Sequence, residues 1–274
     1  MGGPPLSSGR PQESGNKCQE GHWRDVVYHS VLDVLDQMDA VPWRIASWPY
    51  DACLAIDVSA DRRYFGLSLL VCRDPQQFTG VAGFARIVDS WPKPDVDREA
   101  INAILLEDRI AEIVEGLCRH RFPELQSVLA LRDGHVCGEE GGAIDRGFNR
   151  WRRASILSQS ARIDVVDYQK RTVRMWSTDR EPANVLEGRA VYLGENAALV
   201  CCTGAASLSP KATAEPCRLQ ARKGSDIRRA AAGVFALAQH NYLSPKVAYR
   251  DAQPIRDLDR ELEQRVAMEV RGLR

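Results

Sequence analysis

Ala52-Cys53-Leu54-Ala55-Ile56-Asp57-Val58 is an apolar run with one carboxylate near its end. It is too short for a stable helix, and the polar stretch Ser59-Ala60-Asp61-Arg62-Arg63 follows it. That pattern predicts a buried strand closed by a turn. Tyr64 to Cys72 is a second apolar run and Gly80 to Val88 a third. Short polar connections between three strands predict an antiparallel meander. Downstream, Glu99 to about Arg119 places Ile101, Leu105, Ile110, Ile113, Val114 and Leu117 at helical spacing. Ser127-Val128-Leu129-Ala130-Leu131 reads as a fourth strand and ends in Arg132-Asp133-Gly134. A helix is expected over Gly142 to Ser158 and a strand over Ala161 to Val166. Further strands are expected over Thr172 to Trp176 and Arg189 to Thr203. Helices follow over Ser225 to His240 and, richly charged, Ile255 to Val270. Strands mixed with helices in this way predict an α/β fold, a mixed sheet flanked by helices.

The chain around this core has 274 residues, 44% of them apolar and 27% charged, which suits a folded domain and excludes wholesale disorder. No apolar run approaches the length of a membrane helix, so no membrane partner is expected. The start, Met1 to Lys17, lacks an apolar segment and does not read as a secretory signal. Residues 1–20 are rich in Gly, Pro and Ser and are expected to form a disordered tail. Residues 21–50 read as a helix and an extended connector, and 51–274 as the main domain. Eight cysteines form no Cys-x-x-Cys pair. Five of them sit in apolar stretches, so reduced thiols and a cytoplasmic setting are expected.

Asp57 and Asp133 stand at equivalent places, each at the end of an apolar strand. A carboxylate there is costly unless it is paired or binds a cation. If the strands are neighbours, the two carboxylates meet at one sheet edge and offer the hard oxygen ligands that Mg²⁺ prefers. The competing reading is that each aspartate only caps a turn.

Three segments in order, Val41-Pro42-Trp43, Leu54-Ala55-Ile56-Asp57-Val58-Ser59 and Val128-Leu129-Ala130-Leu131-Arg132-Asp133-Gly134, resemble the PIWI domain of prokaryotic Argonaute proteins. Asn241-Tyr242-Leu243-Ser244-Pro245, followed by Val247-Ala248-Tyr249-Arg250-Asp251, resembles the closing motif of that family. The resemblance implies a ribonuclease H-like fold and an endonuclease that cuts a target strand paired to a guide. It implies two divalent ions, Mg²⁺ or Mn²⁺, held by a carboxylate tetrad. Carried over, Asp57, Asp133 and Asp251 are the metal-binding aspartates, with Glu99 as the second tetrad member and Glu107 as its alternative. The MID domain that grips the guide's 5′ phosphate is represented at most by a helix near Asp25 to Asp39. A separate MID-containing or effector chain is therefore an expected partner beside guide and target nucleic acid.

Charge is unevenly spread. The whole chain balances 37 basic against 37 acidic residues, but Arg146 to Arg250 holds 18 basic and 8 acidic ones. Arg218, Arg222, Lys223, Arg228 and Arg229, with Tyr242, Ser244, Lys246 and Arg250 near the closing motif, are the candidate nucleic-acid contacts. Contacts to phosphate would give affinity without reading sequence. Trp43, Trp48 and Trp91 could stack on bases or simply pack. His135, after the Arg-Asp-Gly turn, could assist near the carboxylates.

Overall fold

A computed structural model describes residues 27, 31, 48–72, 81–90, 100–115, 123–170, 172–173, 176–177, 183–184, 188–203, 215–239 and 250–271. The chain divides into two units, Met1–Pro42 and Trp43–Arg274. The sheet and the helices described below belong to the second.

Ten strands are present among the described residues: β1 (Ala52–Val58), β2 (Tyr64–Cys72), β3 (Val81–Ser90), β4 (Leu125–Asp133), β5 (Leu157–Gln169), β6 (Trp176–Ser177), β7 (Ala183–Asn184), β8 (Ala190–Tyr192), β9 (Ala197–Val200) and β10 (Cys217–Ala221). The helices are α1 (Ala103–Ile113), α2 (Glu140–Arg153), α3 (Ile227–Gln239) and α4 (Gln253–Val270). Eight strands form one sheet in the order β3-β2-β1-β4-β5-β10-β9-β8, and β6 and β7 pair separately. β1, β4 and β5 run parallel, with Ile56 beside Arg132 and Asp133 beside Tyr168. The other pairings in the large sheet are antiparallel, the β1-β2-β3 meander included. The predicted α/β fold, a mixed sheet flanked by helices, is the one observed.

Alternation along the central strands assigns side chains to two cores. Leu54, Ile56, Val128 and Ala130 pack with α1 and α2. Cys53, Ala55, Leu129, Leu131, Val166 and Tyr168 pack on the other face with α3 and α4. Where α1 meets α2, Gly147 is required: a Cβ there would lie 2.5 Å from the Ile110 side chain. On the opposite face a Cβ at Gly66 would lie 2.6 Å from Leu258 Cδ1, so the small residue lets α4 settle against β2 directly beside Asp57, its register partner.

Several boundaries differ from expectation. The helix predicted from Glu99 begins at Ala103, because the Asn102 side chain accepts hydrogen bonds from the amides of Ile104 and Leu105 and caps it there. Leu106, not Leu105, lies on its fully buried face. The helix predicted to Ser158 stops at Arg153, and the following strand runs from Leu157 to Gln169 rather than over Ala161 to Val166. Arg189 to Thr203 is not one strand but the hairpin β8–β9, with Gly194 at φ +84 in its turn. β10, with Cys217, Leu219 and Ala221 buried, stands where only a basic segment was read. Trp48 packs in the core and donates its indole N–H to the Gly233 carbonyl at 3.2 Å. Trp43 and Trp91 lie outside the described residues, as does the 1–20 tail.

Candidate functional site

The carboxyl ends of β1, β4 and β5 bring three side chains to one place. Asp57 ends the buried part of β1, Asp133 ends β4, and Lys170 directly follows β5. Each continues the alternation of residues facing α3 and α4, so all three point to the same side of the sheet. Open crevices beyond the carboxyl ends of parallel strands are a frequent place for ligands in α/β folds. Here the crevice is a cleft of about 740 Å³ whose walls include Asp57, Asp133, His135, Gln169, Lys170 and Asp259.

Asp259 comes from α4. Ile255, Leu258 and Leu262 bury that helix against the sheet, and Asp259, four residues after Ile255, flanks their stripe. Oxygen atoms of Asp57, Asp133 and Asp259 lie within 4.8 Å of one another. Lys170 Nζ is 2.5 Å from Asp133 Oδ2 and also contacts Asp259 Oδ2.

Burial first, and then the charge of Asp133, push the Asp57 carboxyl up to about 9; a hydrogen bond shared with Asp259 adds to this. Burial also raises Asp133, although Lys170 pulls it back. Burial works against the Lys170 ammonium, but Asp133 and Asp259 together hold its pKa above the ordinary lysine value. Like charges at this separation disfavour joint ionisation. Three convergent carboxylates fit a hard divalent cation such as Mg²⁺ or Mn²⁺, which takes oxygen ligands, and nothing in the set favours a soft metal.

Asp57 and Asp133 lie together, and Asp251 is not among the carboxylates of the described residues within 4.8 Å of them. Asp251 instead accepts a hydrogen bond from the Tyr168 hydroxyl at 3.0 Å and pairs with Arg250 at 3.2 Å. The third carboxylate beside Asp57 and Asp133 is Asp259. Glu99 lies outside the described residues. Glu107, its alternative, is inside α1 and accepts from Arg146 of α2 at 2.6 Å. His135 is exposed at the cleft, its Nδ1 3.0 Å from Asp167 Oδ2.

Behind the cleft lies a charged pair that sequence reading did not single out. Arg132 points to the opposite face from Asp133 and is fully buried against the equally buried Glu140, at 3.3 Å. The Glu140 carboxylate also accepts from the amides of Ile101 at 2.6 Å and Cys137 at 2.9 Å. The pair therefore ties the Arg-Asp-Gly turn to the entry of α1 and the start of α2. A buried charge pair is tolerable when its remaining hydrogen-bonding capacity is met in this way.

The basic segment divides. Arg229 donates to the Pro49 carbonyl at 3.0 Å and lies over the Tyr50 ring at 4.4 Å. Arg222 donates to the Gly141 carbonyl at 3.0 Å. Arg250 is shared between Asp251 and Glu215. Arg228 lies over the Tyr192 ring at 4.3 Å. Arg218, Lys223 and Arg228 are exposed, and Arg218 is the register partner of Gln169 at the cleft wall. Tyr242, Ser244 and Lys246 lie outside the described residues.

No family model and no curated protein matches the chain. Solved structures do. A Clostridium butyricum Argonaute bound to a guide DNA and a 19-mer target DNA is similar with a TM-score of 0.64 at 14% identity, over 85% of this chain and 29% of that one. Two Aquifex aeolicus Argonaute structures give TM-scores of 0.58 and 0.57 at 14% and 15% identity, over 84% of this chain and 31% of theirs. The fold is thus Argonaute-like, and the chain spans under a third of the length of the Argonautes it matches. Among the described residues no helix is long and apolar enough to cross a membrane.

Proposed function

We propose that this chain is a PIWI-type nuclease module that hydrolyses one phosphodiester in a target strand paired to a guide. The observation that carries the proposal is the meeting of Asp57, Asp133 and Asp259 at the open end of the parallel strands, in a cleft large enough for a backbone phosphate. These three residues would hold Mg²⁺ or Mn²⁺, with Glu99 as the further carboxylate. A metal pair at such a site supplies a nucleophilic hydroxide and charge stabilisation for the leaving oxygen.

The chain's own residues do the rest. Asp57, whose burial favours the protonated form, would release that proton on becoming a metal ligand. Arg132 and Glu140, locked together, hold the backbone of the Arg-Asp-Gly turn and so aim Asp133. Arg218, on β10 between β5 and β9, and Lys223, just after that strand, would meet phosphates of the duplex. Base pairing, not protein contact, would then carry specificity. The Argonaute with the highest TM-score reported above holds a guide and a target DNA, which supports nucleic acid as the partner class here. A second chain that holds the guide's 5′ end belongs to the same proposal.

One observation favours a non-cleaving variant of the reading, in which the module binds the guide–target duplex and signals to an effector: a lysine ammonium already sits among the carboxylates. One assay separates the two. A labelled target is incubated with its guide, the protein, its guide-holding partner and Mn²⁺ or Mg²⁺. Cutting at a single position is expected, lost in Asp57→Ala and Asp133→Ala and on chelation, while duplex binding survives. Tight binding by the intact protein with no cutting under either metal would establish the binding module instead.

A further inference from the structure

Lys170 occupies an unusual position for a positive charge at a carboxylate cluster of this kind. Its backbone is fixed by β5, and the alternation of Val166, Tyr168 and Lys170 directs the side chain to the face that Asp57 and Asp133 share. Only 19% of the side chain is exposed. An ammonium at that depth is costly unless paired, and here it reaches one oxygen of Asp133 and one of Asp259. A divalent ion bound to those carboxylates would stand about 2 Å from its oxygens. The ammonium is 2.5 Å from Asp133 Oδ2 already. Two cations held by the same oxygen would stand at most about 4.5 Å apart, and at that distance, in a site largely shielded from water, their repulsion is strong.

We propose that Lys170 is a resident counter-cation of the Asp57, Asp133 and Asp259 cluster, which a divalent metal must displace before it can bind. The inference rests on the metal-site reading above and adds a regulation to it. Without metal, the lysine holds α4 to the strand ends by joining Asp259 to Asp133. With metal, the lysine must swing into the cleft, where its four-carbon stem leaves it free to meet an anionic ligand. Metal loading is therefore weak in the isolated chain, and the site is protected from scavenging whatever divalent ion is abundant.

The test is a Mn²⁺ titration of the full chain at one fixed neutral pH, following free Mn²⁺ by electron paramagnetic resonance. Lys170→Met is expected to bind Mn²⁺ at least about tenfold more tightly than the parent, an ordinary size for coupling between competing ligands. Lys170→Arg, which keeps the charge, is expected to stay weak. Asp133→Asn combined with Lys170→Met should lose the gain. Equal or weaker binding by Lys170→Met, alongside measurable binding by the parent, overturns the displacement while leaving the metal site standing. Absence of binding in both proteins up to millimolar Mn²⁺ overturns both.

Should Lys170→Met fail to fold, the parent protein alone decides the matter by lysine acetylation footprinting. Lys170 is expected to be protected without metal and to acetylate severalfold faster once Mg²⁺ saturates the site. Unchanged labelling while Mg²⁺ binds overturns the proposal.

Discussion

The acidic cleft and the basic segment that ends in α3 treat their charges in opposite ways. In the cleft, three carboxylates are gathered around one ammonium, a cation that a metal would have to replace. Around the start of α3, arginines outnumber acids, yet Arg222, Arg228 and Arg229 each engage groups of the protein itself. Arg229 holds the Pro49 carbonyl, Arg222 the Gly141 carbonyl, and the buried Asp164 gathers the Tyr50 hydroxyl at 2.8 Å and the Asp226 amide at 2.7 Å. The Asp226 carboxylate caps α3 through the amides of Arg228 and Arg229, and those hydrogen bonds, that of Arg229 foremost, hold it below the ordinary aspartate range. In one region the charge faces an open cleft where a ligand can reach it; in the other it goes into the fold. A charge count alone ranks the second as the binding surface, whereas the contacts rank the first as the site.

The largest effect that would break this contrast is in the structural region. Asp164→Ala leaves a buried tyrosine hydroxyl and a helix-start amide without their acceptor, and removes the carboxylate facing Arg162 at 3.6 Å and Arg229 at 4.0 Å. Stability is expected to fall by about 3–5 kcal/mol, the usual loss when one partner leaves a buried charged network. Urea unfolding measures it. A loss under about 1 kcal/mol would mean that the arginines do not depend on Asp164, and that they are freer to bind ligands than their contacts indicate.

The cleft should respond with the opposite sign. Burial and the Asp133 charge push the Asp57 carboxyl up to about 9, whereas in the unfolded chain it titrates at about 3.9. Between those values the folded protein holds a proton that the unfolded chain has released. The contribution of this group to the stability of the metal-free protein is therefore fully present below about pH 4 and is lost as pH rises toward 9. Asp57→Asn removes the titration. It is expected to flatten that decline and to leave the metal-free variant more stable by about 2 kcal/mol near the top of the window, as when strain at a functional site is relieved. Unfolding midpoints measured across pH in the presence of a chelator decide it. A decline of the same steepness in the variant would place the titrating group elsewhere.

What the sequence made legible follows the same division. Short continuous apolar runs located β1, β2 and β4, and with them Asp57 and Asp133, because a run of that length bounded by polar residues reads as a buried strand without reference to its partners. β5 itself runs on through Tyr168 to Gln169, with Lys170 directly after it, yet a strand closed at Val166 leaves Lys170 several residues from any strand. Asp259 was hidden by its neighbours: Arg256, Asp257, Arg260 and Glu261 give α4 the look of a solvated helix, and only its distance of four from Ile255 marks it as facing the sheet. Asp251 fits the closing motif by sequence but meets Tyr168, a partner 83 residues away along the chain. The contact of Glu140 with the Ile101 amide and the acceptor role of Pro49 depend on long-range packing, which periodicity does not encode. Even β10 shows its alternation in Cys217-Arg218-Leu219-Gln220-Ala221, once the arginine is read as an outward-facing strand residue and not as part of a basic run.

The smallest expected effect sharpens the contrast inside the basic segment itself. Arg218 and Lys223 are exposed, and Arg218 stands beside Gln169 at the cleft wall. Each phosphate contact adds about 0.9 to the slope of log affinity against log salt. Arg218→Gln with Lys223→Gln should therefore reduce that slope for a guide–target duplex by nearly two, roughly a tenfold change in how far affinity falls over a fourfold rise in salt. Arg228→Gln with Arg229→Gln should leave the slope nearly unchanged. Those two guanidinium groups lie over Tyr192 and Tyr50, and their loss should instead lower stability, by about 1 kcal/mol or more for the two ring contacts. Filter binding across salt and urea unfolding, run on both double variants, give each its own readout. The reverse pattern, a flattened slope from the α3 pair and none from Arg218 and Lys223, would mean that nucleic acid draws the α3 arginines off their tyrosines. The two regions would then be one continuous binding surface, and the distinction between charge kept for a ligand and charge spent on the fold would not hold for this protein.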